Sequence, residues 1–313
     1  MAIHSLSANF RSFFGRLNPG SSFEATASSQ YNTIKGLIED RRGPAAVLSP
    51  TCFLQGSYRQ QTATYSINDV DIVALCELWY PAASGFGSGP VYYRDDIFRI
   101  IAAPLLADLR YRDKVRYRPG SMCIKVDLGI KVEILPVVFK QGTSNPQVEP
   151  FMLYRPEKAQ WEDGYARYHQ GYLSAKNSSD RTQGNFIPAI KVLKHIRSIF
   201  NHQAVSFHLE CLLYSVTDSV FLGGPADSIA SVLYYIASVT SAQWYQARWM
   251  TPCGDRDIFT PTEWGATDWS RFHELLSRCS KVAQDAIHTS IQSQAIADWQ
   301  AILGNDFFPA TTA

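Results

Sequence analysis

The sequence predicts an α+β fold, with strands concentrated in the first half and helices filling the second. Two observations carry this. Short β-branched or apolar runs at 52–54, 69–75, 121–126 and 131–139 lie among glycine and proline breakers in the first 140 residues. From about Phe186 onward, apolar residues recur at helical spacing. Strands grouped before helices, instead of alternating with them, mark an α+β domain joined to a helical one. The division is placed between residues 1–155 and 156–313.

The elements follow in order. Phe10, Phe13, Phe14 and Leu17 fall at helical spacing, and Arg11 and Arg16 stand among serines with no acid before residue 24. A targeting peptide has this composition; so does a short amphipathic helix packed on the body, which the apolar spacing favours. Ala25, Tyr31, Ile34, Leu37 and Ile38 form the stripe of a helix over 22–42, which Gly43-Pro44 ends. Cys52-Phe53-Leu54 leads to Gly56-Ser57, and a polar loop separates these from the strand at 69–75. A glycine-rich loop occupies 85–90. A helix follows at 95–109, with Pro104 as a kink or break. Runs 121–126 and 131–139, with Gly129 between them, read as a hairpin. Residues 141–186 are polar and unassigned. Helices are expected near 186–200, 206–222, 226–243 and 268–302.

Composition excludes several classes. The 313 residues are 46% hydrophobic and 18% charged, as globular proteins are and disordered chains are not. The formal net charge of +1 and the lack of a long basic run argue against a grip on long nucleic acid and for a small polyanion in a local pocket. Six cysteines form no CxxC pair and have no zinc-finger partners, so they read as reduced thiols of a cytoplasmic protein. No apolar stretch approaches the ~18 residues that a membrane span needs.

The chemistry concentrates in Gly56-Ser57 and Asp69-Val70-Asp71. Glycine, lacking Cβ, lets backbone approach a phosphate, and the Gly and Ser N–H groups with the Ser hydroxyl can donate to its oxygens. Asp69 and Asp71, two apart on a strand, present both carboxylates on one face. Hard oxygen ligands so placed suit magnesium, and a third carboxylate would complete a site for two ions. Glu133 is the favoured third acid, because a carboxylate inside the apolar strand Lys131-Val132-Glu133-Ile134-Leu135-Pro136 is costly without a partner. Asp127 competes, although an aspartate two residues before Gly129 is ordinary turn chemistry. Singly, Gly-Ser is loop chemistry and Asp-x-Asp a solvated strand end. In this order, with a later acid in an apolar strand, they are far more specific.

These segments resemble the nucleotidyltransferase superfamily related to DNA polymerase β. Gly56-Ser57-Tyr58-Arg59-Gln60-Gln61-Thr62 followed by Asn68-Asp69-Val70-Asp71-Ile72-Val73 is similar to one branch, the cGAS/DncV-like nucleotidyltransferases (CD-NTases), bacterial synthases of cyclic di- and trinucleotides in anti-phage defence. Val132-Glu133-Ile134-Leu135-Pro136 resembles that family's third-acid strand, where Asp is the more usual acid. Lys194, in Lys191-Val192-Leu193-Lys194-His195, and Ser206, in Ser206-Phe207-His208-Leu209-Glu210, match a lysine and a serine that reach the triphosphate. Phe207 matches a base-stacking aromatic. For the residues alone, a surface lysine and a helix-capping serine remain open. Residues 297–309 resemble the family's closing segment, which pins the chain end. Arg16-Leu17-Asn18-Pro19 resembles clades whose operons often encode HORMA-domain activators.

The resemblance implies a two-lobed molecule, a polymerase-β-like core with a mixed, mainly antiparallel sheet plus a C-terminal helical domain. It implies catalysis with Asp69, Asp71 and Glu133 on two Mg2+ ions, for which Mn2+ can substitute. It also implies nucleotide binding by Gly56, Ser57, Lys194, Ser206 and Phe207, with nucleoside triphosphates, ATP among them, as substrates and a cyclic oligonucleotide as product. The alternatives are an RNA- or protein-modifying enzyme of the superfamily and a nucleotide-binding regulator without turnover.

Overall fold

A computed structural model describes residues 1–79, 93–118, 120–140, 150–156, 158 and 160–311; the glycine-rich segment at 85–90 lies outside them. The chain opens with α1 (Ser7–Leu17) and α2 (Ser21–Ile38), then β1 (Thr51–Gln55), the single turn α3 (Gly56–Arg59) and β2 (Asp69–Trp79). α4 (Arg94–Ala107) precedes β3 (Val115–Arg116), β4 (Ile124–Asp127), β5 (Lys131–Phe139), β6 (Phe151–Arg155) and β7 (Gln160–Gly164). The remainder is helical: α5 (Ala166–Lys176), α6 (Ser179–Thr182), α7 (Phe186–Ile199), α8 (Ser206–Ser215), α9 (Pro225–Ser238), α10 (Ser241–Gln246), α11 (Ala266–His288) and α12 (Gln292–Leu303). The expected α+β architecture is thus the observed one.

The chain forms two compact units. One gathers Gly20–Arg59 and Ile67–Tyr168, the other Met1–Pro19, Gln60–Ser66 and His169–Ala313. This differs from the division expected at residue 155 for two physical reasons. β6 and β7 pair antiparallel and extend the sheet to Gly164. The stripe of α1 is spent on the helical core, where Phe10, Phe13 and Leu17 are fully buried with α7, α9 and α12 residues.

The first unit is built on one sheet of order β1-β2-β5-β4-β3, with β6 joining β5 and β7 joining β6. Only β2 and β5 run parallel; every other named pair is antiparallel. Alternation assigns the faces. Val70, Ile72, Ala74, Val132, Ile134 and Val126 share a core with Ile34 and Ile38 of α2 and Ile97, Phe98 and Ile101 of α4. Val73, Leu75, Leu135 and Val137 point the other way and share a cluster with Phe151 and Leu153 of β6. The hairpin of β4 and β5 is as expected, with Gly129 at φ +85° in its turn. Pro104 neither breaks nor ends α4, which runs on to Ala107.

The helical unit corrects three boundaries. The helix expected over 268–302 is two: Thr289 leaves helical geometry at ψ 140° and its hydroxyl accepts from the Ile291 N–H. The helix expected over 226–243 stops at Ser238, and Thr240 starts α10 with a capping box to Gln243. The helix expected over 206–222 ends at Ser215 and gives way to a 3-10 turn at Asp218–Phe221.

Candidate active site

The site grows from the junction of β1, α3 and β2. At the end of β1, Gly56 takes φ +69°, a left-handed conformation. A Cβ added there would lie 1.9 Å from Asp71 Oδ2. No other residue type fits without displacing the carboxylate, so this glycine is required by close approach as well as by its backbone. Ser57 follows as the second residue of α3, half-buried.

Pairing then sets the acids. Gln55 stands opposite Asp71, Asp71 is in register with Glu133 on the parallel β5, Glu133 with Lys125 on β4, and Lys125 with Arg116 on β3. One polar row therefore crosses five strands on the face that Val73 and Leu135 share. The next row is Asp69, Lys131 and Asp127. Neighbouring strands lie ~4.8 Å apart, so Glu133 is one strand from Asp71, whereas Asp127 is two strands from Asp69. Asp127 is exposed, and its Oδ1 accepts from the Gly129 N–H at 3.4 Å, as a turn residue does.

Glu133 is clasped by a cation and a thiol. Lys125 Nζ lies 2.8 Å from its Oε1, and Cys123 Sγ donates to its Oε2 at 3.4 Å. Burial, and then the Glu133 charge, push the Cys123 thiol up to about 12, so it remains a donor. The hydrogen bond to Glu133 also raises Lys125. Lys125 is 61% exposed, so the pair is well screened and readily exchanged. Among the described residues no three Asp, Glu, His or Cys side chains converge as a finished metal cage. The donor set still suits a hard divalent cation. Three carboxylates lie in two adjacent rows of one face, and the position beside Glu133 already takes a positive group. A bound ion there would displace Lys125.

The residues expected in the helical unit are placed as follows. Ser206 is the first residue of α8, not its cap, and its hydroxyl accepts from Arg197 Nη1 at 3.1 Å. Phe207 is half-buried, with the His169 ring at 5.1 Å and the Arg256 guanidinium 4.9 Å over its face. Lys194 sits among partners of its own unit. It is 3% exposed, and its ammonium donates to Glu210 Oε1 at 2.7 Å, Thr62 Oγ1 at 2.9 Å and Thr62 O at 3.1 Å. All three N–H groups are used inside the unit.

Sequence reasoning missed Lys125, Thr62, Glu210 and His169. Lys125 could have been found: a hairpin turning about Gly129 puts residues equidistant from it opposite one another, and 125 and 133 are. Thr62, in a polar run of Gln, Thr and Ala, carries no such signal.

Residues 173–282 match the family described as the cGAS/DncV-like nucleotidyltransferase C-terminal helical domain. A cyclic UMP-AMP synthase of Rhodothermus marinus is 25% identical over 268 residues, which is 79% of this chain and 89% of the relative. Among solved structures, the R. marinus CdnE c-UMP-AMP synthase with Apcpp and Upnpp superposes with a TM-score of 0.68 at 22% identity, covering 87% of this chain and 94% of that one. Escherichia coli MS115-1 CdnC in complex with HORMA-deltaN gives 0.72 at 13% identity over 97% and 98%. Vibrio cholerae DncV with the linear intermediate pppA(3′,5′)pG gives 0.73 at 11% identity over 100% and 98%.

Proposed function

We propose that the chain is a nucleotidyltransferase of the cGAS/DncV-like family, whose C-terminal helical domain it matches, and that it joins nucleoside triphosphates, ATP among them, into a cyclic di- or trinucleotide, as the similar cyclic UMP-AMP synthase does by its name. The observation that carries this reading is the seat of Gly56 against Asp71 with Glu133 in register beside it. That arrangement couples a phosphate-approaching backbone to a carboxylate face. Asp69, Asp71 and Glu133 would hold two Mg2+ ions, or Mn2+ in their place. Bound divalent ions supply the charge that acidifies an acceptor ribose hydroxyl and stabilises the departing pyrophosphate. The chain's own groups orient the reactants. Gly56 and Ser57 donate to the terminal phosphate oxygens, Ser206 adds a hydroxyl at the start of α8, and Phe207 offers a ring face to a base.

Attack of a ribose hydroxyl on the α-phosphorus of a triphosphate expels pyrophosphate and gives a linear product, and a last, intramolecular attack on the α-phosphorus at its 5′ end expels one more pyrophosphate and closes the ring. The likeness to the CdnC complex extends the proposal to a HORMA-type protein activator, and the family to a cytoplasmic role in anti-phage signalling. Among the described residues no helix is long and apolar enough to cross a membrane.

The test is incubation of the purified chain with the four nucleoside triphosphates and Mg2+, phosphatase treatment and mass spectrometry. A phosphatase-resistant product with the mass of a cyclic oligonucleotide is expected. Linear or RNA-tailed products alone would overturn the reading.

A further inference from the structure

Cys52, Cys76, Cys211 and Cys279 are buried among apolar side chains. Cys123 is placed differently. It stands immediately before β4, is half-buried, and spends its S–H on a carboxylate, donating to Glu133 Oε2 at 3.4 Å. The other oxygen, Oε1, lies 2.8 Å from the ammonium of Lys125, which is directly across the β4–β5 pair in register. Two residues of the same sheet thus hold one carboxylate, one on each oxygen.

The two partners differ in the properties that decide which gives way to an ion. Lys125 is a point charge on a flexible four-carbon stem. It is 61% exposed, so water replaces its contact at little cost. A divalent cation repels it and competes for the same oxygen. Cys123 has a short arm and a neutral, soft thiol. Hard Mg2+ or Mn2+ prefers oxygen and has little use for it as a ligand. The thiol can therefore keep Oε2 while an ion takes Oε1. This matters because a glutamate must order three side-chain torsions before it can ligate. A partner that orients a ligating carboxylate beforehand raises its affinity for metal.

Resting on the nucleotidyl-transfer reading above, in which Glu133 is the third metal-holding acid, we propose that Cys123 is a positioning residue: its thiol fixes the Glu133 carboxylate through Oε2 and leaves Oε1 for the divalent ion, with Lys125 as the competitor that must withdraw. The two oxygens of Glu133 have separate duties.

Titration of the purified full chain with Mn2+, followed by electron paramagnetic resonance, separates the two partners by sign. Cys123→Ala should raise the Kd for Mn2+ about 10-fold, the lower end of what losing such a supporting partner costs, because a thiol is a weak donor. Cys123→Ser keeps a donor and should stay within about 3-fold of wild type. Lys125→Gln should move the other way and lower the Kd about 3-fold, because the competing cation is gone. In turnover, the Mg2+ concentration for half-maximal rate should rise about 10-fold in Cys123→Ala. An unchanged Mn2+ Kd in Cys123→Ala would overturn the inference, as would a Cys123→Ser chain as weak as Cys123→Ala. Weaker Mn2+ binding in Lys125→Gln would make Lys125 a support instead of a competitor and would overturn it too. So would a thiolate charge-transfer band on loading with Co2+ that Cys123→Ser abolishes, since Cys123 would then be a ligand itself. The Mn2+ readout needs no turnover. A chain that shows the expected shifts but makes no nucleotidyl product would sink the function and leave the two duties of Glu133 established.

Discussion

At the scale of single residues, Gly56 is the position with least freedom. An alanine there would meet the Asp71 carboxylate and would hold a left-handed backbone that costs an L-residue ~1–2 kcal/mol. Gly56→Ala should therefore lower kcat about 100-fold or more, the loss expected when a reacting group moves by ~1 Å, while circular dichroism stays native; a fully active variant would refute the phosphate-approach role. The third acid is separable in the same way. Glu133→Gln should abolish product formation and weaken Mn2+ binding measured by electron paramagnetic resonance, because it stands in register with Asp71. Asp127→Asn, altering a turn carboxylate that accepts from Gly129 N–H, should keep both. The reverse pattern would transfer the role to Asp127. These positions were legible in the sequence because two-residue strand periodicity and an acid in an apolar run are local signals. The burial of Lys194 was not, since its partners Thr62 and Glu210 lie 132 and 16 residues away and no spacing rule connects them.

At the scale of elements, legibility followed the strength of the apolar pattern. β2 and β5 were evident because each buries alternate side chains in different cores. β7, Gln-Trp-Glu-Asp-Gly, has no β-branched residue and is a strand only because β6 supplies its partner. The ends of α8, α9 and α11 were missed because serine, threonine and valine stop helices through side-chain bonds and extended backbone, without glycine or proline. The N-terminal stripe is the clearest case of an element read correctly from spacing. Phe10 packs edge-on against Trp299 and Phe308, each with ring centroids 5.0 Å away, and Asn9 Nδ2 donates to Pro309 O at 2.8 Å. The first and last helices of the chain thus close one aromatic cluster. Phe308→Ala should cost ~3–5 kcal/mol, the usual range for deleting a fully buried phenyl ring, read as a lowered urea midpoint at unchanged slope. A loss below ~1 kcal/mol would mean that the closing segment does not hold the N-terminal helix.

For the whole molecule, the question is how its stability responds to acid, and the buried charges decide the sign. Burial would push the Glu210 carboxyl up, but the Lys194 ammonium and then His169 pull it down to about 2. A carboxyl depressed from 4.5 in the fold contributes stability that is complete above the unfolded value and disappears as pH falls through the folded one. Two buried histidines act in the same direction at higher pH. Desolvation lowers His195 and His208 from 6.5, so each favours the fold while neutral, and that advantage shrinks as pH falls below 6.5. Acid should thus weaken the chain in two windows. Glu210→Gln isolates the lower one. At pH 7 it strands the Lys194 charge in the interior, a loss of ~3–5 kcal/mol by the usual cost of breaking a buried pair. Between pH 4.5 and about 2 the wild type surrenders the same advantage, so the gap between the two proteins should narrow by up to ~1.4 kcal/mol per pH unit. Urea unfolding of both proteins at steps from pH 7 downward reads this directly. A gap that stays constant below pH 4.5 would mean that Glu210 is not ionised in the fold, and its contacts with Lys194 and Thr62 would then not include a buried ion pair.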